Sequence, residues 1–315
     1  MILLNFVTGK METYDMVAKE KIDLLKKKID EADAIVVGGA SGMSAASGFV
    51  FYYQDDDVYK MLAGGLAEKY NIHNYFDLFY DRRLSRGELW ASILRATRYI
   101  YECYTGETYK DLAKLLQGKN YYIATTNQDA QFFRVFPDEK ITRIQGDNRY
   151  WQCSRPCHDE IYYNKEKVFE LSDKIVGDVL PDELIPRCPH CGEELAPWVR
   201  SHTFLEGEYY QREMKRYLDF LRANSRRKVL FLELGVGMMT PMFIKEPFMN
   251  MTYQFPDAFY ATVNPQHAIV PKEIAKKSLA ISDDIAVTLK KLLGKSTAGM
   301  KEFNAKEAFN PSRIY

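Results

Sequence analysis

The chain has 315 residues, 46% of them hydrophobic, which suits one large domain or two closely joined ones with a substantial core. Lys plus Arg and Asp plus Glu both number 43, so the formal net charge is zero and neither nucleic acid nor an anionic membrane surface is an expected partner. No apolar run approaches the roughly 20 residues needed to span a bilayer, and the opening Met1-Ile2-Leu3-Leu4-Asn5-Phe6-Val7 is too short, and lacks the basic start, for a signal peptide; a soluble, cytoplasmic protein is expected.

In chain order, residues 14–32 read as an amphipathic helix with Ala18, Ile22, Leu25 and Ile29 on one face. The apolar run 34–39 ending in two glycines reads as a buried parallel strand, and the small, polar stretch 40–48 as a turn into a helix. Residues 50–84 are aromatic and charged with no clean period, so loops and short helices are expected there. Helices are predicted over 87–102 and 108–117, and strands over 121–125 and 141–144. From 150 to about 200 the character changes, with four cysteines and several prolines, as in an inserted small module. A helix over 208–224 follows, ending near the basic patch Arg222, Arg226, Arg227 and Lys228, which reads as a solvated helix end. Strands over 228–234 and 258–263 and a final helix over 272–294 complete the pattern. Strand and helix alternate through the outer parts, which predicts an α/β fold: a Rossmann-like parallel sheet covered on both faces. The predicted division is 14–149 with 205–294 as one discontinuous domain, 150–204 as the module, and 1–13 and 295–315 as terminal extensions.

Four segments carry residue types suited to chemistry. The first is the turn after the first strand. Its glycines let backbone N–H groups approach a phosphate, although Gly38, Gly39 and Gly42 do not make the G-x-G-x-x-G fingerprint. The second is Thr125-Thr126-Asn127-Gln128-Asp129, where Asn127 and Asp129 project beyond a strand end, the place where open sheets bind ligands; taken alone, the segment suits turn and helix-cap roles better. The third is Cys153, Cys157, Cys188 and Cys191, two pairs at the spacing of a tetrahedral zinc site. Cys188-Pro189-His190-Cys191-Gly192 reads as a knuckle turn, and the long stretch 158–187 between the pairs implies an insertion. Four protein ligands leave no open position, so such a zinc is structural. Free buried thiols are the alternative. Cys103 stands apart and reads as core. The fourth is Glu233-Leu234-Gly235-Val236-Gly237, a strand followed by a flexible turn.

Taken in order, these segments resemble the sirtuin family of NAD-dependent enzymes. The family's Gly-Ala-Gly-x-Ser-x-x-Ser-Gly is matched by Ala40-Ser41-Gly42-Met43-Ser44-Ala45-Ala46-Ser47-Gly48, and its Thr-Gln-Asn-x-Asp by 125–129. Its His-Gly is matched by Gln145-Gly146, and its two cysteine pairs follow. Pro197-Trp198-Val199 with Phe204 is similar to its Pro-x-Val-Val-x-Phe-Gly-Glu. Gly235-Val236-Gly237 stands where the family has Gly-Thr-Ser, and Val263-Asn264 resembles its ribose-holding asparagine. The likeness runs from about residue 14 to 294. It implies NAD as substrate, bound by Gly39, Ala40, Ser41, Gly42, Ser47, Tyr52, Thr126, Asn127, Asp129, Gln145, Gly235, Val236, Gly237 and Asn264. It further implies Asn127, Asp129 and Gln145 as the catalytic set and zinc on the four cysteines.

Departures matter as much. The family's Pro-Asp-Phe-Arg is absent; Val50-Phe51-Tyr52-Tyr53 keeps only an aromatic. The family's catalytic histidine is Gln145, which takes up no proton near neutral pH but can still hydrogen-bond a ribose hydroxyl. That pattern is similar to the macrodomain-linked class M sirtuins of microbes, described as protein ADP-ribosyltransferases rather than deacylases. The resemblance therefore implies transfer of ADP-ribose to a protein side chain, with lipoyl-carrier proteins and macrodomain hydrolases as the associated partners. NAD-dependent deacylation with another base, such as His73, His158 or His202, is the alternative, and a non-catalytic NAD sensor is a second.

Overall fold

The computed structural model describes residues 4–300, with side chains described from Ala18 onward. The chain begins with α1 (Leu4–Glu31), which starts well before residue 14 and turns Leu25 and Ile29 inward. β1 (Ala34–Gly39) follows with all six residues buried, then the single-turn α2 (Ser41–Ala45). The aromatic segment folds as three short helices, α3 (Asp57–Ala63), α4 (Leu66–Tyr70) and α5 (Tyr75–Tyr80). α6 (Arg86–Glu102) opens with a capping box in which Ser85 and Glu88 satisfy each other's free N–H groups. α7 (Glu107–Leu115), β2 (Tyr121–Thr125) and β3 (Ile141–Arg143) come next.

Then follow β4 (Gly146–Cys153), β5 (Tyr162–Tyr163), α8 (Lys165–Ser172) and β6 (Leu195–Val199). The chain closes with α9 (Glu208–Asn224), β7 (Val229–Leu234), α10 (Lys245–Gln254), β8 (Phe259–Val263), β9 (Ser278–Ile281) and α11 (Ile285–Leu292).

Six strands form one parallel sheet in the order β3-β2-β1-β7-β8-β9. The period-two rule divides each buried strand between two cores. Ile35 and Val37 join Leu230, Leu232 and Leu234 beneath α1, α7 and α11. Ala34 and Val36 join Val229 and Phe231 beneath α9 and α10. Each fully buried Ile, Val or Leu contributes about 1.5–3 kcal/mol, so the central strands need side chains apolar on both faces, as the sequence pattern indicated.

A second sheet, β5-β4-β6, is antiparallel. Its core of Trp151, Val168, Leu171 and Ile185 packs on Trp90, Ile93 and Leu94 of α6. Trp90 and Trp151 meet edge to face at 5.4 Å.

One predicted element divides. The helix expected over 272–294 is a 3-10 turn (Lys272–Lys277), then β9, then α11. Ile274, Leu279, Ile281, Ile285 and Leu289 keep a spacing a helix would accept. Pairing with β8 holds Ser278–Ile281 extended, and Asp284 caps a new helix through the Val287 N–H at 3.1 Å.

Candidate functional site

Strand register aligns the candidate residues. Gly39 pairs with Thr125 and with Leu234, Thr125 with Arg143, and Leu234 with Val263. These last residues of β3, β2, β1, β7 and β8 form one row across the sheet, about 19 Å long at four intervals of ~4.8 Å. Because every pairing is parallel, the next residues all emerge on the same edge. They are Gln145, Thr126–Asp129, Ala40–Gly42, Gly235–Gly237 and Asn264. The order reverses between β1 and β7, so the row straddles the switch point at which doubly wound sheets take ligands.

At the middle of the row lies a cluster of polar groups. The Asn127 amide Nδ2 donates to the Ala40 carbonyl at 3.0 Å, Ser44 Oγ at 3.1 Å and the Tyr109 hydroxyl at 3.1 Å. Ser44 donates to the Asp129 carboxylate, whose other oxygen accepts the Gln131 N–H at 3.1 Å. Burial pushes the Asp129 carboxyl above its ordinary 3.8, against the lowering effect of the Ser44 and Gln131 hydrogen bonds, and Asp147 adds to the rise. Ala130, next in the chain, sits in the left-handed region at φ 59°. That conformation costs a non-glycine residue about 1–2 kcal/mol and sharpens the turn presenting Asp129. Ser44 and Tyr109 were not singled out from the sequence. Ser44 lay within a quoted motif; Tyr109 carried no signal beyond the polar end of a helix.

Gln145 is half-buried on the turn between β3 and β4. Its carbonyl accepts from the Arg200 N–H at 3.0 Å and Gln128 Nε2 at 3.3 Å, while its side-chain amide makes no hydrogen bond among the described residues and is open to solvent. The turn is held firmly. Gly146 has φ +83°, and any Cβ there would strike the Trp198 carbonyl. On either side of Gln145 lie Arg143 and Asp147, each 1% exposed, joined at 3.0 Å, and Arg143 also pairs with buried Glu213. Burial opposes ionisation of Asp147, but Arg149 and Arg143 overcome it and hold its carboxyl below the usual range. Arg200, also missed from sequence, donates to the Ile144 carbonyl at 3.0 Å and stacks over Phe204 at 4.2 Å. His158 is held at the cysteine cluster 3.1 Å from Cys157 Sγ, His73 lies by Asp55 on the surface, and His202 is exposed. Among the described residues none is hydrogen-bonded to Gln145.

On the other side of the row, the turns after β1 and β7 touch. Gly42 N–H donates to the Gly235 carbonyl at 3.1 Å, and a Cβ on Gly42 would lie 2.5 Å from Gly235 Cα. The Ala40, Gly42 and Met43 amides are thus already hydrogen-bonded within the protein, and α2 is one turn long, so few free N–H groups remain there for a phosphate. Ser41 is exposed and Gly237 has open space around it. Val236 is buried, and its carbonyl accepts Asn264 Nδ2 at 3.0 Å. Asn264 Oδ1 accepts from the Gln266 and His267 amides. That side chain therefore ties two loops together. Thr126 N–H bonds the Gly39 carbonyl at 3.2 Å. Ser47 lies behind α2 with its hydroxyl buried, and Tyr52 packs edge to face on Phe76 at 5.7 Å. Beside it, Tyr53 reaches Met239 Sδ at 3.8 Å, bringing the aromatic segment against the loop after β7.

Cys153, Cys157, Cys188 and Cys191 gather with their sulfurs within 4.8 Å of one another. Cys153 to Cys191 measures 3.6 Å and Cys157 to Cys188 3.8 Å. Zn–S bonds of about 2.3 Å in a tetrahedron require S···S edges of about 3.8 Å, so the donor set and its spacing fit zinc. Gly192, at φ +75°, closes the knuckle by donating to the Cys188 carbonyl at 2.9 Å. Four thiolates would complete the coordination, and the metal would join β4 to the Cys188–Cys191 loop. Cys103 caps the end of α6, half-buried, away from this group.

No family model matches the chain. It is 31% identical over 274 residues to a protein ADP-ribosyltransferase of Staphylococcus aureus, covering 86% of each protein. It is 26% identical over 236 residues to a Fusarium oxysporum protein described as a "probable bifunctional ADP-ribose hydrolase/ADP-ribosyltransferase", covering 72% of this chain and 39% of that protein. Among solved structures, a sirtuin from a study of substrate affinity aligns over 88% of this chain and 98% of its own, with TM-score 0.54 at 18% identity. A Sir2 homologue bound to NAD aligns over 86% and 92%, with TM-score 0.53 at 15% identity. The structural likeness defines the class: a sirtuin fold, a parallel sheet with a cysteine-bearing insertion. Within it, the chain belongs to the family of sirtuin-type protein ADP-ribosyltransferases.

Proposed function

We propose that this chain transfers ADP-ribose from NAD to a protein side chain and releases nicotinamide. The observation that carries the reading is Gln145: a non-titrating amide, open to solvent, at the strand-end row that also bears Asn127 and Asp129. In this reading the nicotinamide end of NAD lies at Asn127 and Asp129, and the adenosine end at Gly235–Gly237 and Asn264. Residues 14–149 and 205–294 hold NAD, and 150–204 is the zinc module. Asp129, as a carboxylate, accepts from the nicotinamide amide. The C1′–N bond of the ribose breaks, and nicotinamide leaves with the bonding pair. An acceptor lone pair forms the new bond to C1′ and the acceptor's proton is released. Gln145 orients the ribose by hydrogen bonds to its hydroxyls.

A deacylase would need a group at this place to take a ribose proton near neutral pH, and Gln145 supplies none. Free thiols able to hold zinc suit a reducing, cytoplasmic compartment. Among the described residues no helix is long and apolar enough to cross a membrane. A lipoyl-carrier protein as acceptor, and a macrodomain hydrolase to reverse the modification, are the finer expectations. The two activities in the name of the Fusarium relative support the second.

The test incubates the zinc-loaded protein with NAD, an acetyl-lysine peptide and a host-cell protein extract, and follows products by mass spectrometry. ADP-ribosylated protein without acetyl-ADP-ribose is expected. Acetyl-ADP-ribose formed at ordinary deacylase rates would overturn the reading.

A further inference from the structure

Tyr109 is fully buried on α7, yet its hydroxyl reaches three groups of the strand-end site: Asn127 Nδ2 at 3.1 Å, Ser44 Oγ at 3.2 Å and Asp129 Oδ2 at 3.5 Å. Burying a phenol costs about 1–3 kcal/mol unless its oxygen is hydrogen-bonded, and here its partners are polar groups on α2 and on the loop after β2. Proton counting fixes the directions. The Ala40 carbonyl only accepts, so the atom of Asn127 facing it is the NH2. Of its two protons one goes to that carbonyl, and the other is shared between the two hydroxyl oxygens at 3.1 Å. Each hydroxyl has one proton left to give, and the Asp129 carboxylate is the acceptor at the end. The polarity runs from Asn127 amide to hydroxyls to carboxylate. Asn127 Oδ1 is left without a partner among the described residues and open to solvent.

We infer that Tyr109 is a positioning residue: with Ser44 it locks the Asn127 amide with its NH2 inward, so that Asn127 presents only a hydrogen-bond acceptor to the ligand. An acceptor beside the ribose suits a reaction in which positive charge develops on the sugar, so this inference rests on the proposed transfer reaction. The same chain of donors keeps Asp129 an acceptor. Without the phenol, the amide has one restraint fewer and can turn its NH2 toward the ribose, where it disfavours the charge.

The variant Tyr109→Phe keeps the ring, whose edge packs on Phe132 at 4.8 Å, and removes only the hydroxyl. Its expected effect is a loss of about tenfold in kcat for nicotinamide release, the worth of one hydrogen bond of this kind, with the Kd for NAD within about twofold. Tyr59→Phe removes an equally buried hydroxyl, 2.7 Å from the Ile72 carbonyl and away from the site, and serves as the control that lowers stability alone. Nuclear magnetic resonance of the side-chain amides gives a readout independent of turnover: in the wild type the Asn127 NH2 protons are protected from exchange, and in Tyr109→Phe the protection falls. If wild-type protein binds NAD but neither releases nicotinamide nor modifies protein, the transfer reading fails, and the protected amide still decides the positioning of Asn127. Unprotected Asn127 protons in the wild type, or an unchanged kcat in Tyr109→Phe, would overturn the inference.

Discussion

At the residue scale, Asp129 carries opposing demands. Its carboxyl is raised by burial, with no cation among the groups that set it. A carboxyl raised on folding contributes stability below the pKa of the unfolded chain and loses it as pH rises through the folded value. Asp129→Asn removes that loss, and its amide still offers an oxygen to the Gln131 N–H. The variant is expected to gain about 1 kcal/mol at pH 7, to lose the gain near pH 4, and to lose most nicotinamide release. Thermal unfolding at the two pH values checks the sign; a destabilised variant at pH 7 would show that the ionised form is favoured. Activity follows the same proton. Release of nicotinamide should fall on the acid side through an apparent pKa above the ordinary 3.8 of Asp. With Gln145 orienting the ribose, as proposed, it should show no inflection near the histidine range of about 6.5. A single-turnover pH profile showing such an inflection would require a base that the strand-end cluster does not contain.

At the element scale, the site depends on two turns sharing one space. Gly42 and Gly235 approach backbone to backbone, so Gly42→Ala must push the α2 turn away from the turn after β7. A loss of about 1–3 kcal/mol is expected from overpacking, with NAD affinity lost in larger measure because both turns move. Calorimetric titration with NAD beside a melting curve checks this; unchanged affinity would place the nucleotide elsewhere. The same scale shows where the sequence was readable. The runs at 34–39, 121–125 and 228–234 are largely apolar and end in, or run into, glycine or polar residues, so a buried parallel strand is the plain reading. β9 was hidden because four residues alternating about an edge leave too short a record. The signal that could have found it was Asp283-Asp284, a helix start where an unbroken helix was expected. The cluster around Asn127 was half legible. Asn127 and Asp129 announce themselves at a strand end, but Ser44 and Tyr109 reach them from other elements across long stretches of chain. No spacing rule carries that information.

At the scale of the whole molecule, the smaller sheet continues from the parallel sheet through the β3–β4 turn and shares a core, Cys153 and Cys188 included, with α6. All three tryptophans lie in or against the smaller sheet: Trp151 and Trp198 in β4 and β6, and Trp90 on α6 facing Trp151. Metal removal therefore has a built-in reporter. Chelation is expected to release one zinc per chain, shift tryptophan emission toward that of exposed indole and lower the melting temperature, because binding to four thiolates is itself folding free energy. Cys188→Ser should reproduce the shift. Unchanged emission after complete chelation would show that the smaller sheet holds together without metal. The paired cysteines made the site legible in the sequence, whereas the antiparallel sheet around it was not, since β5 is only two residues long and β4 is bulged between Asp147 and Trp151. The Arg143–Asp147–Glu213 network, which braces the Gln145 turn, buries three charged residues of types that are mostly exposed, so residue type gave no sign of it.

The row of strand ends running from Gln145 to Asn264 is the proposed NAD site, and every functional prediction depends on it. The most direct test is a crystal structure of the protein with NAD bound. The nicotinamide amide is expected within hydrogen-bond distance of Asp129, a ribose hydroxyl at Gln145, and the adenosine over Gly235–Gly237. NAD bound in the reverse direction, or away from the ends of β1, β2 and β7, would contradict it.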